Sequence, residues 1–113
     1  MHVVSNPSPI IALDHLGDLE LLRHLFTTVG IPPAVAREVQ RSPLPSWFDN
    51  RLLEQPIGSQ ILQHSLGAGE SEALSLALEI QCDVILLDDK AARRLATVLG
   101  IPKLGTLGLL VKA

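Results

Sequence analysis

Four consecutive apolar residues, Val84-Ile85-Leu86-Leu87, stand between two helical patterns and are bracketed by Asp83 and by Asp88-Asp89. No other feature constrains the fold as strongly. A strand with one wet face alternates apolar and polar side chains, whereas a run that is apolar at every position belongs to a parallel strand covered on both faces. The flanking segments agree. Glu70 to Gln81 places Ala73, Leu76, Ala77 and Ile80 on one helical stripe, widened by Leu74 and Leu78. Lys90 to Leu99 reads as a second amphipathic helix, ended by Gly100.

The same alternation runs through the rest of the chain. Val3-Val4 is a brief buried strand, stopped by the turn cluster Ser5-Asn6-Pro7-Ser8-Pro9. Ile10 to Leu16 is helical, with Ser8 as N-cap, Pro9 at the first helical position and Gly17 at the end. Asp18 caps a helix over Leu19 to Phe26, and Thr27 to Ile31 is a second strand. Pro33 opens a helix to about Gln40. Residues 42–46 are a loop, and Arg51 to Gln55 is either a short helix or irregular. Ile57 to Leu66 is helical with Ile57, Ile61 and Leu62 inward, and Gly67-Ala68-Gly69 breaks it. Ile101 to Leu104 is extended, and a last helical turn starts at Gly105-Thr106-Leu107-Gly108. Strands alternating with helices predict an α/β fold with a mainly parallel sheet, in one domain over 1–113.

Composition narrows the function classes. The apolar fraction of 47% is that of a globular domain, and a core built with 3% aromatics is aliphatic. Aromatic platforms for stacking single-stranded bases are scarce. Nine basic against twelve acidic residues give a net charge of −3, which argues against nucleic-acid binding through a bulk positive field. The single cysteine, Cys82, excludes an internal disulfide and a Cys-based zinc site. The opening residues carry no Lys or Arg ahead of their apolar stretch, and no apolar run approaches the ~18 residues of a membrane span. A cytoplasmic protein with no membrane partner is the expectation.

In a parallel α/β sheet the functional crevice lies outside the carboxyl ends of the strands. Asn6 follows the first strand and Asp88 follows the apolar strand, so both project to that edge. Glu70, in the first turn of the helix feeding the apolar strand, can approach Asp88, and Glu38 can reach in from the side. Clustered carboxylates repel one another unless a cation lies between them. A hard divalent ion, Mg²⁺ or Mn²⁺, accepts such oxygen ligands and supports phosphodiester hydrolysis. Each residue also has a plain role. Glu70 and Glu72 complement a helix dipole, one of Asp88 and Asp89 is an N-cap, Glu38 is a solvated helix residue, and Asn6 is a turn residue. Lys90, Arg93 and Arg94 read first as a solvated face. Arg93 and Arg94 are also the candidates for phosphate contact. The four histidines show no ligand spacing.

Five short blocks resemble PIN-domain proteins of the VapC toxin-like group. They are residues 3–13 around Ser5-Asn6-Pro7-Ser8-Pro9, Ile31 to Val39 with Glu38, Leu66 to Leu74 with Gly69-Glu70-Ser71-Glu72-Ala73, Val84 to Arg94, and Gly105-Thr106-Leu107-Gly108. They occur in the family's order over nearly the whole chain. The resemblance implies a parallel-sheet α/β/α sandwich and metal-dependent cleavage of single-stranded RNA, often as the toxin of a toxin–antitoxin pair. It implies Asn6, Glu38, Glu70 and Asp88 as the metal-site quartet. Asp89 and Glu72 become alternative ligands, and Ser8 a polar contact in the first helical turn. The eighteen-residue step from Glu70 to Asp88 matches the family and favours Glu70 over Glu72.

Two departures matter. The family's first acid is commonly Asp where this chain has Asn6, which contributes an oxygen but no charge. The chain also stops at Ala113, where relatives usually continue. Apolar residues Leu107, Leu109, Leu110 and Val111 are thereby left for an antitoxin or for a second copy in a homodimer. The competing class is a non-catalytic binding module with the same fold and a weakened site. A response-regulator receiver fits poorly, because its acidic pair follows the first strand and here Asp88-Asp89 is late. A dinucleotide site at Gly67-Ala68-Gly69 lacks the third glycine and the preceding strand.

Overall fold

The structure, a computed structural model, describes residues 1–39 and 44–112. In chain order the elements are β1 (Val3–Ser5), α1 (Pro7–His15), α2 (Glu20–Phe26), β2 (Val29–Ile31), α3 (Pro33–Val39) and β3 (Phe48–Asn50). They continue with α4 (Pro56–Leu62), α5 (Ala68–Glu79), β4 (Val84–Leu86), α6 (Lys90–Val98), β5 (Lys103–Leu104) and α7 (Thr106–Lys112). The strands form one parallel sheet in the order β3-β2-β1-β4-β5, flanked by the helices. The α/β reading therefore holds.

The apolar run is the centre of this arrangement. Ile85, Leu86 and Leu87 are buried, and β4 pairs with β1 through Val3↔Val84, Val4↔Ile85 and Ser5↔Leu86. Burying each such aliphatic side chain contributes roughly 1.5–3 kcal/mol. α5 packs on β1 and β4 and also on α3 and α4. Its residues Ala73, Leu74, Leu76 and Ala77 are in the core, Ile80 is half-buried, and Leu78 is exposed.

Several element ends differ from expectation for identifiable reasons. α1 begins at Pro7, so Asn6, not Ser8, occupies the N-cap position, and Ser8 is an exposed first-turn residue. Proline suits that start because its fixed φ is helical and it has no N–H to satisfy. β2 is shorter than the β-rich stretch suggested, because Thr27 closes α2 with φ +68°, outside the strand region. Gly67 to Gly69 does not break a helix; Gly67 is the N-cap of α5 and the other two residues form its first turn.

α4 turns Ile57 and Ile61 outward, while Leu62 packs half-buried against the core as expected. Ile57 and Ile61 are 66% and 65% exposed, while Ser59 is buried. The helix faces α5 through small residues, and a Cβ on Gly58 would lie 3.5 Å from Ser75 Oγ. Residues 51–55 are irregular. β3 is a strand that the sequence pattern does not mark. Only Phe48 of its three residues is buried, and Trp47 stacks on Phe48 with ring centroids 4.3 Å apart. The predicted helix end at Gln40 and the loop residues Ser42 and Pro43 lie outside the described residues.

Candidate metal centre

From β1 the chain moves outward to β2 and β3, then returns to the other side of β1 to lay down β4 and β5. The switch point lies between β1 and β4, where an α/β sheet opens a crevice beyond its carboxyl ends. Asn6 continues β1 there, its N–H donating to Leu86 O at 2.9 Å. Asp88 follows Leu87, whose N–H donates to Leu104 O at 3.0 Å.

Asn6 is completely buried. An N-cap asparagine ordinarily turns its side-chain oxygen onto a backbone N–H of its own helix. Asn6 makes no such bond. Its Nδ2 donates instead to Glu70 Oε2 at 3.5 Å, and its Oδ1 is buried with no hydrogen-bond partner. Leaving such an acceptor unsatisfied costs about 1–3 kcal/mol.

Both glutamates are gathered by the first turn of α5. Gly67 N–H donates to Glu70 Oε1 at 3.1 Å, and Gly69 N–H donates to Glu38 Oε1 at 2.8 Å. The helix N-terminus, with its unpaired N–H groups, favours negative charge at this point. Gly69 is required for the approach of Glu38. A Cβ there would lie 2.9 Å from Glu38 Oε1 and 2.9 Å from the Pro7 ring, so α1, α3 and α5 meet over a missing methyl group.

Asp88 is held from another direction. Thr106 N–H donates to Asp88 Oδ1 at 2.7 Å, and the Thr106 hydroxyl donates to Oδ2 at 2.6 Å. A cleft of about 560 Å³ opens beside it, walled by Ala12, Arg93, Lys103, Gly105 and Thr106. Within the Gly-Thr-Leu-Gly block, Thr106 has no role that the residues alone indicate. The signal the block offers is a hydroxyl residue between two glycines at a helix start.

The other candidates have different partners. Asp89 is the N-cap of α6 and accepts from Ala92 N–H at 2.9 Å. Glu72 accepts from Ala34 N–H at 2.9 Å, at the start of α3. Arg93 Nη1 donates to Leu87 O at 3.0 Å and lines the cleft, whereas Arg94 and Ser8 are exposed. The structure thus brings Asn6, Glu70 and Glu38 together around the start of α5. It sets Asp88 at the end of the neighbouring strand and ties Asp89 and Glu72 to helix starts.

Among the described residues, no three carboxylate, histidine or cysteine side chains already surround one point. Mg²⁺ does not require that, since it is commonly held by one or two carboxylates and keeps several waters. The donor set fits a hard cation: a buried amide oxygen without a partner lies on the residue that contacts Glu70, and Glu38 accepts from Gly69, the residue of α5 just before Glu70.

A family whose sequence model is described as a PIN domain matches residues 2–113. No curated protein matches the chain. The match spans the whole switch-point crevice and every side chain described above.

Proposed function

The chain belongs to the PIN-domain family, a membership that points to a nuclease-type function, and from that premise we propose that it is a metal-dependent endoribonuclease acting on single-stranded RNA. One observation carries the reading. Asn6 is buried at the switch point with its Oδ1 unpartnered and its amide nitrogen on Glu70, an arrangement without a capping role and with an open oxygen for a cation.

Asn6, Glu38, Glu70 and Asp88 would hold the ion, Mg²⁺ or Mn²⁺. When bound, such an ion supplies an activated water and neutralises charge on the phosphate. The chain's own part is positional. The α5 N–H groups orient Glu38 and Glu70 without neutralising them. Three carboxylates and one neutral amide leave the site a smaller negative charge than four acids would, and so a weaker hold on the cation. Arg93, beside Asp88 in the cleft, supports phosphate contact; Arg94 is a solvent-facing second candidate. Asp89 and Ser8 are the less supported ligand and substrate contacts, the one because it caps α6 and the other because it faces solvent.

The test is cleavage of a labelled single-stranded RNA pool with Mn²⁺ and with chelator, with Asp88→Asn alongside. The reading expects cleavage that needs the ion and is lost in the variant. Equal cleavage by Asp88→Asn contradicts the site.

The second reading is a binding module without turnover, and the specific observation favouring it is the neutral Asn6 where the family's acid commonly stands. A folded protein that binds Mn²⁺ but cuts no RNA would select it. A toxin role with an antitoxin partner, and a homodimer, extend the proposal. Their support is the exposed apolar side chains of Leu107 and Val111 on α7; Leu109 is buried in the core and Leu110 half-buried against it, so those two expected contacts are not left for a partner. A monomeric mass at micromolar concentration contradicts the homodimer.

A further inference from the structure

We infer that the Gly105-Thr106 turn is a clamp that fixes the Asp88 carboxylate for cation binding, with Thr106 as the positioning residue and Gly105 as the gap the clamp needs. The inference rests on the metal-site reading above.

Three observations support it. First, both Asp88 oxygens are engaged by one residue, Oδ1 by the Thr106 N–H at 2.7 Å and Oδ2 by its hydroxyl at 2.6 Å. Two donors from one rigid residue fix both the position and the plane of the carboxylate. Each oxygen keeps a lone pair for a cation, because an ionised carboxylate has about four acceptor sites. Second, helix capping accounts for only one of these bonds. The Thr106 N–H is an orphan donor at the start of α7, and Asp88 satisfies it. The hydroxyl bond relieves no backbone group. It joins two exposed or half-exposed side chains, where a hydrogen bond adds little stability. Its effect is orientation. Third, the backbone is built to permit the contact. A Cβ on Gly105 would lie 2.8 Å from Asp88 Oδ1 and 3.2 Å from Arg93 Nη1. Arg93 in turn donates to Leu87 O, so it anchors the end of β4 immediately before Asp88. The carboxylate is therefore held by Thr106 from the α7 side, next to a strand end that Arg93 anchors, and a side chain on residue 105 would crowd both.

Residues that orient a metal ligand from outside the ligand set change metal affinity by about 10–100-fold when removed. Thr106→Val keeps the shape and the N–H and deletes the hydroxyl. Thr106→Ser keeps the hydroxyl. Gly105→Ala keeps both donors and intrudes on Asp88.

The experiment is calorimetric titration of each folded protein with Mn²⁺, with thermal unfolding in chelator as the control for folding. The clamp predicts that Thr106→Val and Gly105→Ala bind Mn²⁺ about 10-fold or more weakly, that Thr106→Ser binds like the parent protein, and that Thr106→Val melts close to it without metal. Wild-type affinity in Thr106→Val, with Asp88→Asn weakened, overturns the clamp and leaves the metal site standing. A folded parent protein that binds no Mn²⁺ overturns the metal-site reading and the clamp together.

Discussion

Replacing Gly69 by alanine sets two effects against each other, and the structure decides which wins. Alanine is favoured over glycine inside a helix by about 1 kcal/mol, less near the end, and Gly69 is the second residue of α5. Against that, the new Cβ would lie 2.9 Å from Pro7 Cγ, 2.9 Å from Glu38 Oε1 and 3.0 Å from Glu38 Cδ, well inside the usual ~3.5–4.0 Å carbon contact. The Pro7 ring is rigid and buried in the first turn of α1, so it cannot step aside without moving the helix. Overpacking of this kind costs about 1–3 kcal/mol. Glu38 can swing into solvent, but then loses its 2.8 Å bond from the Gly69 N–H. For an exposed carboxylate that loss is worth about 1 kcal/mol. The net expectation is destabilisation by about 2 kcal/mol, or roughly 8 °C in melting temperature for a domain of this size. Gly58→Ala is the control, since its Cβ meets Ser75 Oγ at an ordinary 3.5 Å. It should stabilise by about 0.5–1 kcal/mol. Thermal unfolding followed by circular dichroism measures both. A Gly69→Ala protein as stable as the parent would refute the claim that α1, α3 and α5 close over that position.

Asn6→Asp brings a second carboxylate to Glu70 at a fully buried position. In chelator it should melt below the parent protein, and saturating Mn²⁺ should raise its melting temperature by more than it raises the parent's; equal Mn²⁺ shifts would remove Asn6 from the site. Cys82 is nearly buried, and its thiol is pushed up from 9.0 to about 11, first by burial and then by the Asp83 charge. The unfolded thiol ionises first, so the stability held by the protonated thiol is full below pH 9 and declines between pH 9 and about 11. Urea midpoints of the parent protein should fall relative to Cys82→Ala across that window, and parallel curves would contradict the assignment. Native Cys82 should also react with iodoacetamide at pH 8 more slowly than the unfolded chain, as thiolate supply and access both require.

What could be read from the residues was whatever rests on local pattern. The unbroken apolar run at 84–87 announced a central parallel strand, and the positions of Asn6 and Asp88 after their strands placed them at one sheet edge. What could not be read depends on tertiary contact. β3 is an edge strand with two exposed polar residues, and only its backbone pairing to β2 marks it. α4 presents Gly58 and Ser59 to α5, so Ile57 and Ile61 face out although their spacing suggests a buried stripe. In the site, Asp88 and Asp89 carry the same side chain in adjacent positions. The resemblance ranks Asp88 first, and the structure adds the physical difference: Thr106 holds Asp88 beside the cleft, and Asp89 caps α6. Glu70 and Glu72 separate in the same way, one on Asn6 and one on the start of α3.

The central claim is that the crevice between β1 and β4 is a cation site built on Asn6. Anomalous diffraction from crystals soaked in Mn²⁺ tests it most directly. The account predicts one strong peak with Asn6 Oδ1 and a Glu70 oxygen as ligands, at the ~2.1 Å typical of small hard divalent ions, and the peak absent from Asn6→Ala crystals. Ordered crystals with no peak in the crevice, or with Mn²⁺ bound only elsewhere on the surface, would contradict it.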